Sequence, residues 1–127
     1  MVGETNDGRI NNIRLRAVRP QHAIDAISAA RSGTVAEGSI GAGMGTVSFG
    51  WKGGIGTSSR VLPAADGGFT VGVLVQTNYG GELMIMGRLV RAQDLLPAAD
   101  QVASATSPAG SVMIIIATDA LCPTATW

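Results

Sequence analysis

The sequence predicts an α+β fold with sheet at its centre and helix outside, and three observations carry that expectation. Two runs, "FTVGVLVQTN" and "SVMIIIATDA", are rich in β-branched residues and apolar at successive positions, as in strands covered on both faces. One segment, "RPQHAIDAISAARSG", repeats its apolar residues at helical spacing. The chain also holds 18 glycines, so it turns tightly and often and lets backbones approach closely.

Each element follows from local chemistry. "NDGRINNIRLRAV" opens on an Asn6-Asp7-Gly8 turn signal and continues as a short irregular or extended segment. In the helix, Pro20 suits the first turn, Ala23, Ala26, Ile27 and Ala30 share a face, and Gly33 stands where a C-terminal cap would. Residues 38–59 are glycine-rich, with "TVSFGW" as a strand between two glycine loops. "FTVGVLVQTN" and "ELMIMGRLV" read as neighbouring strands of a hairpin joined through Tyr79-Gly80-Gly81. Gly72 inside the first suggests close backbone approach. "AQDLLPAADQVASATSPAG" is a linker with room for one short helix from Asp94 to Val102. "SVMIIIATDA", with its unbroken apolar run, is expected to be a central strand. The tail "LCPTATW" has no periodicity, and no internal repeat is found.

A chain of 127 residues suffices for one domain. Its helices are too few to cover both faces of such a sheet, so the expectation is one partial domain over 1–127, a piece of a larger fold. Hydrophobic residues make up 46% and charged ones 14%, which favours a packed core over disorder. Nine basic and nine acidic residues cancel, and no dense basic block appears, so neither nucleic acid nor an anionic membrane is an expected partner. The longest apolar run, residues 112–117, is far too short to span a bilayer. The polar start "VGETNDGR" is no signal peptide, and the single Cys122 forms no internal disulfide, so a cytoplasmic location is expected.

Several motifs lead away from familiar chemistry. "GAGMG" at residues 41–45 brings its third glycine too early for a dinucleotide fingerprint, and no amphipathic helix follows. In "KGGIGTSS", Lys52 precedes the glycines that a phosphate loop would place before it. His22, the only histidine, cannot make a zinc site with one cysteine and reads as a surface side chain, so no metal or cofactor is expected. No Gly-x-Ser-x-Gly elbow occurs. A serine hydrolase built on this chain would need another base.

Ser111 suggests one, because it follows Gly110 and opens the apolar strand. Were the Gly110–Ser111 bond cut, the α-amine of Ser111, with a pKa of about 8, would put nucleophile and base in one residue. Residue types alone leave two readings open: a loop serine that starts a strand, which is the commoner case, and a nucleophile freed by cleavage. Asn78, at the end of its strand before Tyr79-Gly80, reads first as a turn residue.

Taken in order, "VGETNDG", "INNI", "GMG", "KGGIGTSSR", "VGVLVQTNYGG" and "GSVMIIIATDA" resemble the serine-nucleophile aminopeptidases of the D-aminopeptidase and β-aminopeptidase family, which includes the L-aminopeptidase/D-esterase type. The resemblance runs from Val2 to about Ala120. It implies an αββα sandwich and self-cleavage between Gly110 and Ser111, with 1–110 as a first-subunit segment and 111–127 as the start of a second. It implies that Ser111 carries an acyl-enzyme and that the Asn78 side-chain amide donates to the oxyanion. By the same resemblance Gly53, Gly54 and Gly56 line the site with backbone amides, the alternative being a packing turn. Substrates would be small peptides, amides or esters, without metal or cofactor, in a homo-oligomer. Two departures stand out: Asn6 occupies a substrate-binding position where the family usually has an aromatic, and Asn12 one where aspartate is common. The family's supporting downstream serine and glutamate have no match here, so a truncated form is expected. Two rivals remain: an acyltransferase like the ornithine acetyltransferases, which use threonine at the cleavage point, and an inactive remnant that only associates.

Overall fold

A computed structural model describes residues 3–98 and 110–120. Its centre is a three-stranded antiparallel sheet, ordered β3-β4-β7, made of β3 (Ile55–Val61), β4 (Thr70–Asn78) and β7 (Ser111–Thr118). Two hairpins flank it: β1 (Val47–Ser48) with β2 (Trp51–Lys52), and β5 (Leu83–Ile85) with β6 (Arg88–Val90). The helices are α1 (Pro20–Ser28) and the single turn α2 (Ala92–Leu95), joined by 3-10 turns at Ile13–Leu15, Gly41–Gly45 and Ala64–Asp66. The α+β expectation thus holds at the level of mixed elements with antiparallel sheet.

Strand β4 runs where its β-branched residues place it, but its neighbours differ from the expected hairpin. It pairs with β3, from Ile55↔Gln76 to Val61↔Thr70, and with β7, from Asn78↔Ser111 to Val71↔Thr118. The segment "ELMIMGRLV" folds back on itself, because Met86 and Gly87 both take positive φ (48° and 78°), the geometry of a type I′ turn. "TVSFGW" does the same at Phe49 and Gly50 (φ 55° and 81°), so it is a tight hairpin and not one strand. Gly72 makes no unusually close approach, since a Cβ there would meet only the Ala117 carbonyl oxygen at 3.9 Å.

Strand β7 corrects a second expectation. Among the described residues it is an edge strand, and its apolar residues are open: Ile114 is 56% and Ile116 67% exposed. An unbroken apolar run records what a strand is suited to pack against, and within the described residues no element lies over these faces. Helix α1 is exposed along its length and ends at Ser28, five residues before Gly33. His22 is accounted for there: its Nδ1 accepts from the Arg19 backbone N–H at 3.1 Å and so caps the first turn. The tail, and the part of the expected 94–102 helix beyond residue 98, lie outside the described residues.

The most enclosed part of the molecule is the junction of β1 with the end of β4. Thr46 and Val47 are fully buried and Gln76 is 3% exposed. Ser48 bridges to Tyr79 in parallel, the Phe49 N–H donates to the Tyr79 carbonyl at 3.0 Å, and the two rings meet edge to face with centroids 5.0 Å apart. Lys52 ties the glycine turn to β2 by donating to the carbonyls of Gly43 (2.5 Å) and Gly53 (2.8 Å). Desolvation in that position lowers the pKa of its ammonium group.

Candidate active site

Register alone brings the two principal candidates together. Asn78, last in β4, is the cross-strand partner of Ser111, first in β7, and residues directly opposite on one face touch. The Asn78 Nδ2 lies 3.4 Å from the Ser111 Oγ, toward which it can donate. Both residues are half-buried, neither sealed in a core nor placed on opposite surfaces.

The amide is held in one orientation. Its Oδ1 accepts from the Val47 backbone N–H at 3.2 Å, and its Nδ2 donates to the Asn6 backbone carbonyl at 2.7 Å. Rotating the amide by 180° would set N–H against N–H and oxygen against oxygen, so the network fixes which end faces Ser111. Val47 is fully buried, so the orienting N–H is shielded from competing water. A donor fixed in advance stabilises developing charge without reorganising, which an oxyanion requires.

Gly110 is set by space. A Cβ there would lie 2.4 Å from the Tyr79 Cβ and 2.6 Å from its Cα. Only a glycine backbone passes Tyr79 this closely and still delivers Ser111 to the register with Asn78. Gly110 is exposed, which leaves the bond after it open to attack.

Residues 3–9 form the opposite wall. Gly3 rests on Met113, where an added Cβ would overlap the sulfur, and a Cβ on Gly45 would lie 2.3 Å from the Asp7 Cβ. The Asn6 Oδ1 accepts from the Gly8 N–H at 2.9 Å in a local turn, so its side chain is engaged with its own loop while its carbonyl serves Asn78. Between this wall and the strand ends lies a cleft of about 700 Å³, bordered by Asn6, Asn78, Gly110 and Ser111 together with Glu4, Thr5 and Arg9. The Thr5 hydroxyl is buried without a partner there. Glu4, Thr5 and Arg9 escape a reading of the sequence, because no spacing ties them to a serine more than a hundred positions away. The one available signal was their adjacency to Asn6.

The three glycines lie elsewhere. Gly53, Gly54 and Gly56 border a separate depression of about 470 Å³ with Phe49, Trp51 and Tyr79. A Cβ on Gly53 would meet the Thr46 hydroxyl at 2.7 Å and the Thr77 carbonyl at 2.8 Å, and one on Gly54 the Gly38 carbonyl at 2.7 Å. The Gly53 N–H is spent on the Thr46 carbonyl. For Gly53 and Gly54 the space is taken by neighbouring atoms, whereas a Cβ on Gly56 would meet nothing within 4 Å. Among the described residues, no group of three or more His, Cys, Asp or Glu side chains could hold a metal ion, and no helix is long and apolar enough to cross a membrane.

Comparison with known proteins places the chain in a family. The chain matches Peptidase family S58 over residues 1–125. It is 44% identical to the beta-peptidyl aminopeptidase BapA of Sphingosinicella microcystinivorans and 40% identical to that of Sphingosinicella xenopeptidilytica, covering 94% of this chain in each case. It covers 33% and 32% of those two proteins, so the chain spans about a third of the length of the curated relatives it matches. Among solved structures, a Burkholderia beta-aminopeptidase superposes with a TM-score of 0.70 at 43% identity, over 91% of this chain and 31% of the other. A Pyrococcus horikoshii OT3 protein gives 0.70 at 38%, over 91% and 30%. The chain belongs to peptidase family S58.

Proposed function

We propose that this chain carries the nucleophile-bearing part of a self-processing serine aminopeptidase, with Ser111 as nucleophile and Asn78 as oxyanion donor. The observation that supports it is the pairing of Asn78 with Ser111, its amide locked by the Val47 N–H. The names of the relatives, which are aminopeptidases, point the same way.

In the uncut chain the Ser111 Oγ attacks the Gly110 carbonyl, and the C–N bond breaks to leave an ester on Ser111. Water hydrolyses that ester, giving a Gly110 carboxylate and a free Ser111 α-amine. The amine, with a pKa of about 8, then accepts the Oγ proton as the hydroxyl attacks a substrate's first amide carbonyl. Asn78 Nδ2 donates to the oxygen that becomes negative, and the proton passes to the leaving amine. The acyl-enzyme is released by water. Glu4, on the cleft rim, offers a carboxylate to the ammonium that an aminopeptidase substrate carries. Residues 1–110 and 111–127 would thus belong to two subunits after processing. The bare apolar strand faces suit a sheet built into an αββα sandwich and a homo-oligomer.

Intact mass and N-terminal sequencing test the reading. A product beginning Ser111-Val112-Met113 is expected, together with covalent labelling of Ser111 by a serine-directed reagent, and both vanish in Ser111→Ala. A single uncut mass with an unlabelled Ser111 would remove the proposal.

A further inference from the structure

The cleft has two charged side chains of opposite sign, Glu4 and Arg9, and the proposed chemistry uses only the first. Arg9 is exposed and has no ion pair or hydrogen bond among the described residues. Its place is not accidental to the wall. The Asn6 turn and the Asp7 carbonyl, which accepts from the N–H groups of Ile10 (3.0 Å) and Asn11 (2.9 Å), curl residues 6–11 into one compact loop. The Asp7 carboxylate is occupied by the Asn11 side chain at 2.6 Å and does not neutralise Arg9. The loop therefore presents a guanidinium with no partner among the described residues to a cleft that Asn78 and Ser111 also line.

A guanidinium recognises planar oxyanions through paired N–H donors. On a peptide substrate the carboxylate nearest the scissile carbonyl is that of the following residue, about 3.5 Å of extended chain away when that residue is the last. Resting on the aminopeptidase reading, we propose that Arg9 is a specificity residue that selects substrates bearing a carboxylate on the leaving-group side, so that short peptides with a free acid are preferred over the corresponding amides.

The test compares kcat/KM on three substrates: β-alanyl-alanine, its C-terminal amide, and β-alanyl-aspartyl amide, with the L-alanyl series run in parallel. The unmodified protein should favour the free acid over the amide by about threefold to tenfold, the range for a partly exposed charged contact. Arg9→Ala should bring that ratio to about one, Arg9→Lys should keep part of it, and Arg9→Glu should invert it. Added salt should erode the preference. A preference for the aspartyl amide as strong as for the free acid would assign the contact to any nearby carboxylate, and one for the free acid alone to the chain terminus. Both support Arg9. Turnover with equal rates on acid and amide, or a ratio unmoved in Arg9→Ala, overturns the inference and leaves the aminopeptidase reading intact. No turnover of either series, with Ser111 unlabelled, removes that reading and the inference with it.

Discussion

At the start of β7, Ser111 is paired with Asn78, Gly110 squeezes past Tyr79, and the buried Val47 holds the amide in place. A few residues on, Ile114, Ile115 and Ile116 keep perfect register with β4 yet stand largely bare. The same strand thus has one end specified by hydrogen bonds and close contacts, and a middle specified by pairing alone. The proposed chemistry is positioned by register and by a few long-range polar contacts. Apolar burial contributes little within the described residues, where the buried apolar side chains are Val47 and Ala92. Changes at the ordered end should alter rates, and changes remote from it should alter only stability.

The largest effect that would break this contrast lies at Asn78. Asn78→Ala removes the proposed oxyanion donor and should lower kcat by about 10²–10³ with little change in KM. Asn78→Asp keeps an oxygen for the Val47 N–H but sets a second, charged oxygen beside the Asn6 carbonyl and the Ser111 Oγ. It should therefore be slower than the alanine variant, since negative charge faces the developing oxyanion. Near-normal turnover in either variant would make the pairing with Ser111 incidental.

Gly110 sharpens the same contrast at the level of space. In Gly110→Ala the added methyl would overlap Tyr79, and relieving it must move either β7's first residue or the Phe49–Tyr79 pair. A cost of about 1–3 kcal/mol is expected for such overpacking. Because the strain falls on the bond proposed to be cut, self-cleavage should slow by about tenfold or more, read as the half-time for the appearance of the Ser111 terminus. The double variant Gly110→Ala, Tyr79→Gly should recover part of the rate, and failure to do so would mean that Tyr79 is not the obstacle.

How far the sequence reveals this depends on what each residue answers to. Strand β4 and the start of α1 were legible, since β-branched runs and a proline at the first helical position act locally. Strand β3 was not: "IGTSSRV" has neither alternation nor an apolar run, and it is a strand because β4 offers an unpaired edge. The two small hairpins were read as single strands because Phe49 and Met86, non-glycine residues, take the positive φ that begins each turn. At the site, Ser111 and Asn78 were named through resemblance, while their contact depends on the register of strands 33 positions apart. Glycines 53 and 54 illustrate the converse, for a glycine-rich string does not say whether it approaches a ligand or its own backbone.

The smallest effect belongs to the far side of β3, where Glu37 holds Thr57. Its carboxylate accepts from the Thr57 N–H at 2.8 Å and from the Thr57 hydroxyl. The hydroxyl first, and the N–H second, favour the charged form and hold this exposed carboxyl below its ordinary value of 4.5. A folded-state pKa below the unfolded one means the contact stabilises fully above the unfolded value and is lost as pH falls through the folded one. Glu37→Gln should therefore unfold at a slightly lower urea concentration than the parent near neutral pH, with the gap closing as pH falls through the folded-state pKa of the carboxyl. Labelling of Ser111 should proceed at the parent's rate throughout, because nothing in the contact reaches Asn78. A gap that stays constant or widens in acid would show that Thr57 does not favour the ionised carboxyl. A change in Ser111 labelling would show that β3 transmits strain across β4 to the site, and the separation between the ordered end of β7 and the rest of the sheet would have to be given up.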